Sequence, residues 1–194
     1  MAINVLRESD TTKSRHVNPA YVDKDGNSYI ASSDRPFPTL DVNHLRLHEG
    51  RAFYAYAMYP YSAMLAAGAS INIAVAWATG KTPHLIYEAN CGGDAEVYMY
   101  ENAVVTGGTS LTAFNRNRTS ATTSASALLL NPTVTSTGTL LESQFIAGGV
   151  GKKAGGGDAY ASEQVLNSLT TYLFRLTNVN GTSHMAHLYL EWYE

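Results

Sequence analysis

The sequence predicts an all-β chain folded as an antiparallel β-sandwich, and three features lead there. Short runs rich in Val, Ile, Tyr, Phe and Thr recur at roughly ten-residue intervals from about residue 44 onward. Turn residues separate them: Pro60, Gly80, the pair Gly92-Gly93, the pair Gly107-Gly108, Gly138 and Asn180-Gly181. Helical periodicity is scarce, and eight or so strands so spaced indicate a sandwich or barrel.

Residues 1–43 differ from the rest. Asp, Asn, Ser, Arg and Pro are scattered through them without an apolar period, so they read as an extended N-terminal arm ahead of a sandwich domain at 44–194. Asp25-Gly26-Asn27 signals a turn, and Arg35-Pro36-Phe37-Pro38 forces an extended path, because each proline pushes its predecessor out of the helical region. Val17, Tyr21, Val22, Tyr29, Ile30 and Phe37 give the arm apolar surface to bury by folding against a partner.

The sandwich elements follow in order. His44-Leu45-Arg46-Leu47-His48 alternates polar and apolar side chains and reads as strand. Residues 51–61 carry Phe53, Tyr54, Tyr56 and Tyr59 and stop at Pro60. In 71–77, Ile71, Ile73, Val75 and Trp77 fall on one side with Asn72, Ala74 and Ala76 on the other, the period-2 placement of a half-buried strand. Strands at 84–88 and 95–101 are divided by Asn90-Cys91-Gly92-Gly93-Asp94, a hairpin-like connection. Another run leads from Gly107-Gly108-Thr109 to Phe114, and the Ser/Thr/Ala tract 119–126 reads as loop or edge. Further strands are expected at 127–130, 138–145, 170–178 and 184–193, with Asn180-Gly181 the strongest two-residue hairpin signal. Residues 148–158 hold six glycines, predicting a surface loop, and 162–167 alone suit a short helical turn.

Composition narrows the function. Charged residues make up 15% of the chain, against roughly 25% in an ordinary globular protein. A surface so poor in charge is covered by Ser, Thr, Asn and Gly, which suits a protein that packs against neighbours. Thirteen basic and 16 acidic residues leave a net charge of −3, with no positive field to grip a phosphate backbone, so direct nucleic-acid binding is not expected. Cys91 is the single cysteine, which excludes an internal disulfide and reads as a small residue near a turn. The first residues lack the apolar segment of a signal peptide, and the most apolar run, 71–78, is too short to span a bilayer. A soluble, cytoplasmically synthesised chain without membrane partners is the expectation.

Chemical motifs fail one by one. Gly80-Lys81-Thr82 invites a phosphate-loop reading, yet the glycine required five positions before Gly80 is Val75, inside a predicted strand. The glycines from Gly148 onward contain no dinucleotide fingerprint leading into a helix. His44 and His48 with Glu49, and His184 with His187, lack a third metal ligand nearby. Asp23-Lys24-Asp25-Gly26-Asn27 lacks the spacing and terminal Glu of a calcium loop. No strand-turn-helix element presents a nucleophile. The sequence therefore assigns no catalytic, cofactor-binding or metal-binding residue, and a non-enzymatic role is expected.

What stands out is tyrosine. Thirteen are present, concentrated in 53–61, 98–100 and 189–193. A tyrosine joins a large apolar body to a polar tip, which serves sheet faces, protein interfaces and sugar platforms alike.

The order of several short signatures resembles the decoration, or cement, proteins of tailed-bacteriophage heads. They are His48-Glu49-Gly50-Arg51-Ala52-Phe53, Pro83-His84-Leu85, Gly107-Gly108-Thr109 leading to Phe114-Asn115-Arg116-Asn117-Arg118, Thr137-Gly138-Thr139, Tyr172-Leu173-Phe174-Arg175-Leu176-Thr177-Asn178 and Leu190-Glu191-Trp192-Tyr193-Glu194. The resemblance implies a jelly-roll-like sandwich, commonly a homotrimer, on the outer capsid surface of a virion, bridging major capsid proteins. It carries over no site residues. A tail or fibre module that binds host-surface glycans is the alternative the tyrosines leave open.

Overall fold

A computed structural model describes residues 42–148 and 163–194, together with the backbone of two short strands, β1 (Ala20–Val22) and β2 (Ser28–Ile30). The chain divides into two compact units, 1–42 and 43–194. In the first, β1 and β2 pair antiparallel, with Tyr21 opposite Tyr29. The rest of the arm, the Asp23 to Asn27 segment and the glycine-rich loop at 149–162 lie outside the described residues.

All but the first residue of α1 (Val42–His48) belongs to the second unit. Its strands are β3 (Ala52–Tyr59), β4 (Ser70–Trp77), β5 (His84–Cys91), β6 (Ala95–Glu101), β7 (Val104–Thr106), β8 (Thr109–Ser110), β9 (Phe114–Asn115), β10 (Ser126–Leu130), β11 (Thr133–Ser136), β12 (Thr139–Ile146), β13 (Gln164–Val165), β14 (Tyr172–Asn178) and β15 (Ala186–Tyr193). They form two facing antiparallel sheets, ordered β12-β6-β14-β4-β10-β8 and β13-β5-β15-β3-β9. A ribbon of β7 and β11 forms a separate pair.

Within these sheets the quartets β4-β14-β6-β12 and β3-β15-β5-β13 have the strand order of a jelly roll. Residues 104–136 are inserted between the fourth and fifth strands of that pattern, and they lengthen each sheet by its last members, β10 with β8 and β9. The predicted sandwich is thus the observed one, and the jelly-roll expectation holds at the level of strand order.

The core fills the space between the sheets by the period-2 rule. Ile71, Ile73, Val75 and Trp77 of β4 are all 3% exposed or less, as their alternation predicts. They meet Leu85, Tyr87 and Ala89 of β5 and Leu188, Leu190 and Trp192 of β15 in one buried cluster. Trp192 stacks on Phe53 at 6.2 Å and receives the edge of Trp77 at 6.1 Å. Each such buried side chain contributes about 1.5–3 kcal/mol of hydrophobic stabilisation.

Four local expectations are corrected. The stretch 44–48 is helical, not strand; Arg46 and His48 occupy its last turn, where cations suit the helix dipole. The expected helical turn at 162–167 holds β13 instead, because Gln164 and Val165 pair with Leu85 and His84 along the edge of β5. Neither predicted hairpin forms: β5 and β6 belong to different sheets, as do β14 and β15, so both connections are corners crossing the sandwich.

At the second corner, Asn180 and Gly181 do not adopt the positive φ angles a tight two-residue hairpin needs. The buried Asn178 amide organises the loop instead, donating to the carbonyls of Leu65 at 3.0 Å and Thr182 at 2.9 Å. Gly138, just before β12, has φ of +74°, and a Cβ there would lie 2.1 Å from the Glu101 carbonyl oxygen. Only glycine fits that approach.

Candidate binding surface

Alternation along β3 produces an inverted amphipathic strand. Between Phe53 and Tyr59, which pack on the core, its inward positions are the small residues Ala55 and Ala57, both buried, while the large side chains Tyr54, Tyr56 and Met58 point outward. Tyr56 is 44% and Met58 58% exposed. On the adjacent β15, Glu191, Tyr189 and His187 lie opposite Tyr54, Tyr56 and Met58. Phe114 of β9 lies opposite Tyr54 on the other side.

Pairing sets these rings into a row across the outer face of the five-stranded sheet. Tyr54 packs near-parallel against Phe114 at 5.4 Å, Tyr189 at 5.8 Å and Tyr56 at 6.5 Å between centroids. His187 continues the row, 5.9 Å from Tyr56 and 6.0 Å from Tyr189. Arg116, just past β9, donates to the Tyr189 hydroxyl at 2.7 Å and pairs with the Glu191 carboxylate, fixing the polar border of the row. Its guanidinium carbon lies 6.0 Å from the Tyr54 ring centroid.

Two titratable groups of the row are shifted by burial. Burial pushes the His187 imidazole below its ordinary range, opposed by the nearby Glu88 carboxylate. Burial also raises the Tyr189 hydroxyl, with Arg116 opposing. Both groups are neutral near pH 7, so covering them does not require stripping a full charge of water.

Beside the row, at the other end of β15, lies a titratable cluster. His84 Nδ1 is 2.6 Å from Glu163 Oε1 and 2.9 Å from the Tyr193 hydroxyl, which also meets Glu163. The Tyr193 ring is sandwiched, with His84 stacked at 4.6 Å and the Arg46 guanidinium 3.5 Å from its centroid. A cleft of about 110 Å³ is lined by Arg46, His84, Glu163, Glu191, Trp192 and Tyr193. These groups are engaged with one another: Glu163 ties the start of β13 to β5 and β15, a structural clasp on the sheet edge. Sequence reading missed it because His84 and Glu163 are 79 residues apart and the latter stood in an expected helix.

The residues singled out by motif are dispersed. Gly80 and Lys81 form a turn after β4, with Gly80 at φ +80° and Val75 buried in the strand. Cys91 is buried at the end of β5, where burial raises its thiol above its ordinary value. His184 contacts Thr182 Oγ1 at 3.0 Å, while His187 belongs to the aromatic row. Among the described residues no three His, Cys, Asp or Glu side chains gather as a metal site, and no helix is long and apolar enough to cross a membrane.

The tyrosine clusters do separate into roles. Tyr87 and Tyr172 are core, and the desolvated Tyr172 hydroxyl, bonded to Glu101 at 2.7 Å, is pushed up to about 12. Tyr54, Tyr56 and Tyr189 make the outer row. The signal that finds the row is the parity of β3, with alanine at its two central inward positions and large residues at its outward ones.

No family model, curated protein or solved structure matches this chain.

Proposed function

We propose that this chain is a non-enzymatic virion structural protein that binds the outer surface of a tailed-phage capsid as an oligomer and stabilises it by bridging major capsid proteins. The observation that carries the reading is the outward aromatic row Phe114, Tyr54, Tyr56, Tyr189 and His187 with Met58 beside it. Aromatic residues and Met bordered by Arg are the composition of an interface core. The strand order supports the fold half of the resemblance, and the bridging role and the homotrimer rest on the resemblance itself.

An oligomer presents several copies of the row, so modest single contacts sum through effective concentration. Binding that requires the intact shell then stabilises the shell by linkage. The arm, residues 1–43, adds contact area by folding on the capsid.

Co-sedimentation with purified capsids is the test. Wild-type protein is expected to pellet with shells, Tyr56→Asp/Met58→Asp to stay in the supernatant, and a variant lacking residues 1–40 to remain folded but lose occupancy. Failure of the wild type to bind shells overturns the reading.

The alternative, a tail or fibre module binding host glycans, draws on Arg116 and Glu191 flanking Tyr189, a pairing that also suits sugar hydroxyls. Against it, the rings of the row pack on one another and so use part of the faces a sugar needs. A glycan array separates the two readings.

A further inference from the structure

Of the four ends of the two facing sheets, three are blunted by brevity: β8, β9 and β13 are two residues each. The fourth is β12, eight residues long, whose outer edge pairs with no strand among the described residues. Long edges are ordinarily protected by Lys or Pro, since their free N–H and C=O groups template another strand. β12 contains neither, and it exposes Leu140, Leu141 and Phe145 at 50%, 45% and 63%.

We propose that β12 is the contact for a second copy of this chain, joined antiparallel about a two-fold axis through Ser143. The strand is chemically palindromic there: Leu141-Glu142-Ser143-Gln144-Phe145 reads apolar, polar, polar, polar, apolar in both directions. A two-fold contact needs this, because each residue meets its mirror position on the same patch. The axis lays Leu141 against Phe145 of the second copy, Glu142 against Gln144, and Ser143 against itself.

Faces and charges agree. Ser143 and Phe145 register with Tyr98 and Glu96 on the outer face, while Glu142 and Gln144 register with the buried Met99 and Val97 on the inner one. Gln144 Nε2 already donates to Glu142 Oε1 at 2.5 Å within the strand, so pairing alternates carboxylate and amide across the axis and brings no like charges together. The bulge at Leu141, where the register with β6 shifts, ends the regular run, so the regular pairs are Glu142 to Gln144 with Leu141 and Phe145 packing at either side. The contact is independent of the aromatic row, and it joins two six-stranded sheets into one.

Two measurements test it. In light scattering, the wild type is expected at twice the mass of the assembly formed by Leu141→Lys/Phe145→Lys, whose changes lie on exposed side chains and leave near-ultraviolet circular dichroism unaltered. A wild-type mass equal to that of the variant overturns the proposal. Directly opposed antiparallel residues have Cα atoms about 4.5–5.5 Å apart, within disulfide range. Ser143→Cys is therefore expected to give a covalent dimer under a mild thiol oxidant, with Cys91 buried and inert and Thr139→Cys as the exposed control. Equal cross-linking at 139 and 143, or none at 143, overturns it. Capsid co-sedimentation of Leu141→Lys/Phe145→Lys reports the aromatic row separately.

Discussion

On the outside of the six-stranded sheet, Ala74, Leu173 and Leu129 lie under Val105 and Val134 of the β7–β11 ribbon. On the outside of the five-stranded sheet, Tyr54, Tyr56, Tyr189 and Met58 have no such cover among the described residues. Ala74 and Leu173 are outward positions by strand parity, yet they are 2% and 0% exposed. One face is thus finished with the chain's own insertion. Among the described residues the other carries larger and more aromatic side chains without cover, the opposite of what a solvated face requires. This contrast teaches that the aromatic row is not an unfinished core.

The largest effects lie on the covered face. Leu173→Ala is expected to cost about 2–5 kcal/mol in urea unfolding, the range for a fully buried large-to-small change. Met58→Ala on the open face is expected within about 0.5 kcal/mol of wild type. Similar losses at both sites would mean that the open face is covered after all.

Within the row, Tyr54 has three ring partners and Tyr56 is half exposed, so the two sharpen the contrast at a smaller scale. Tyr54→Ala is expected to cost about 1–2 kcal/mol, given that an aromatic pair contributes roughly 0.5–1.5 kcal/mol beyond burial. Tyr54→Phe keeps the rings and is expected to unfold as wild type does. Loss in the phenylalanine variant would place the contribution on the hydroxyl.

The smallest effect is a pH dependence from His187. Its folded value is lowered from the ordinary 6.5, so the unfolded chain takes up a proton more readily. The stability carried by the neutral ring is therefore present above 6.5 and is lost as pH falls through the lowered folded value. His187→Gln is expected to narrow the difference in Tm between pH 8 and pH 5, and an unchanged difference would remove His187 from that role.

How much of this the sequence discloses depends on the length of the pattern. The period-2 run of β4 is long enough to fix both its state and its faces, and the same holds for β15. Five residues at 44–48 are too few, since alternation over that span also fits a helix with its cations in the last turn. The turn signals at 90–94 and 180–181 mark where the chain reverses but not which sheet it enters next. That choice belongs to jelly-roll wiring, which is non-local. The tyrosine clusters are plain in the sequence, and β3 parity separates Tyr54 and Tyr56 from the core. That β9 and β15 bring Phe114, Tyr189 and His187 alongside them is decided by pairings across 60 residues or more. The His84–Glu163 clasp has the same origin.

Hydroxyl-radical footprinting of the protein bound to capsids tests the central claim most directly, because Tyr and Met side chains report their own solvent access. Tyr56 and Met58 are expected to lose labelling several-fold on binding, while Tyr61, 78% exposed in the turn beyond the end of β3, keeps its own. Unchanged labelling of Tyr56 and Met58 on capsid-bound protein would contradict the account.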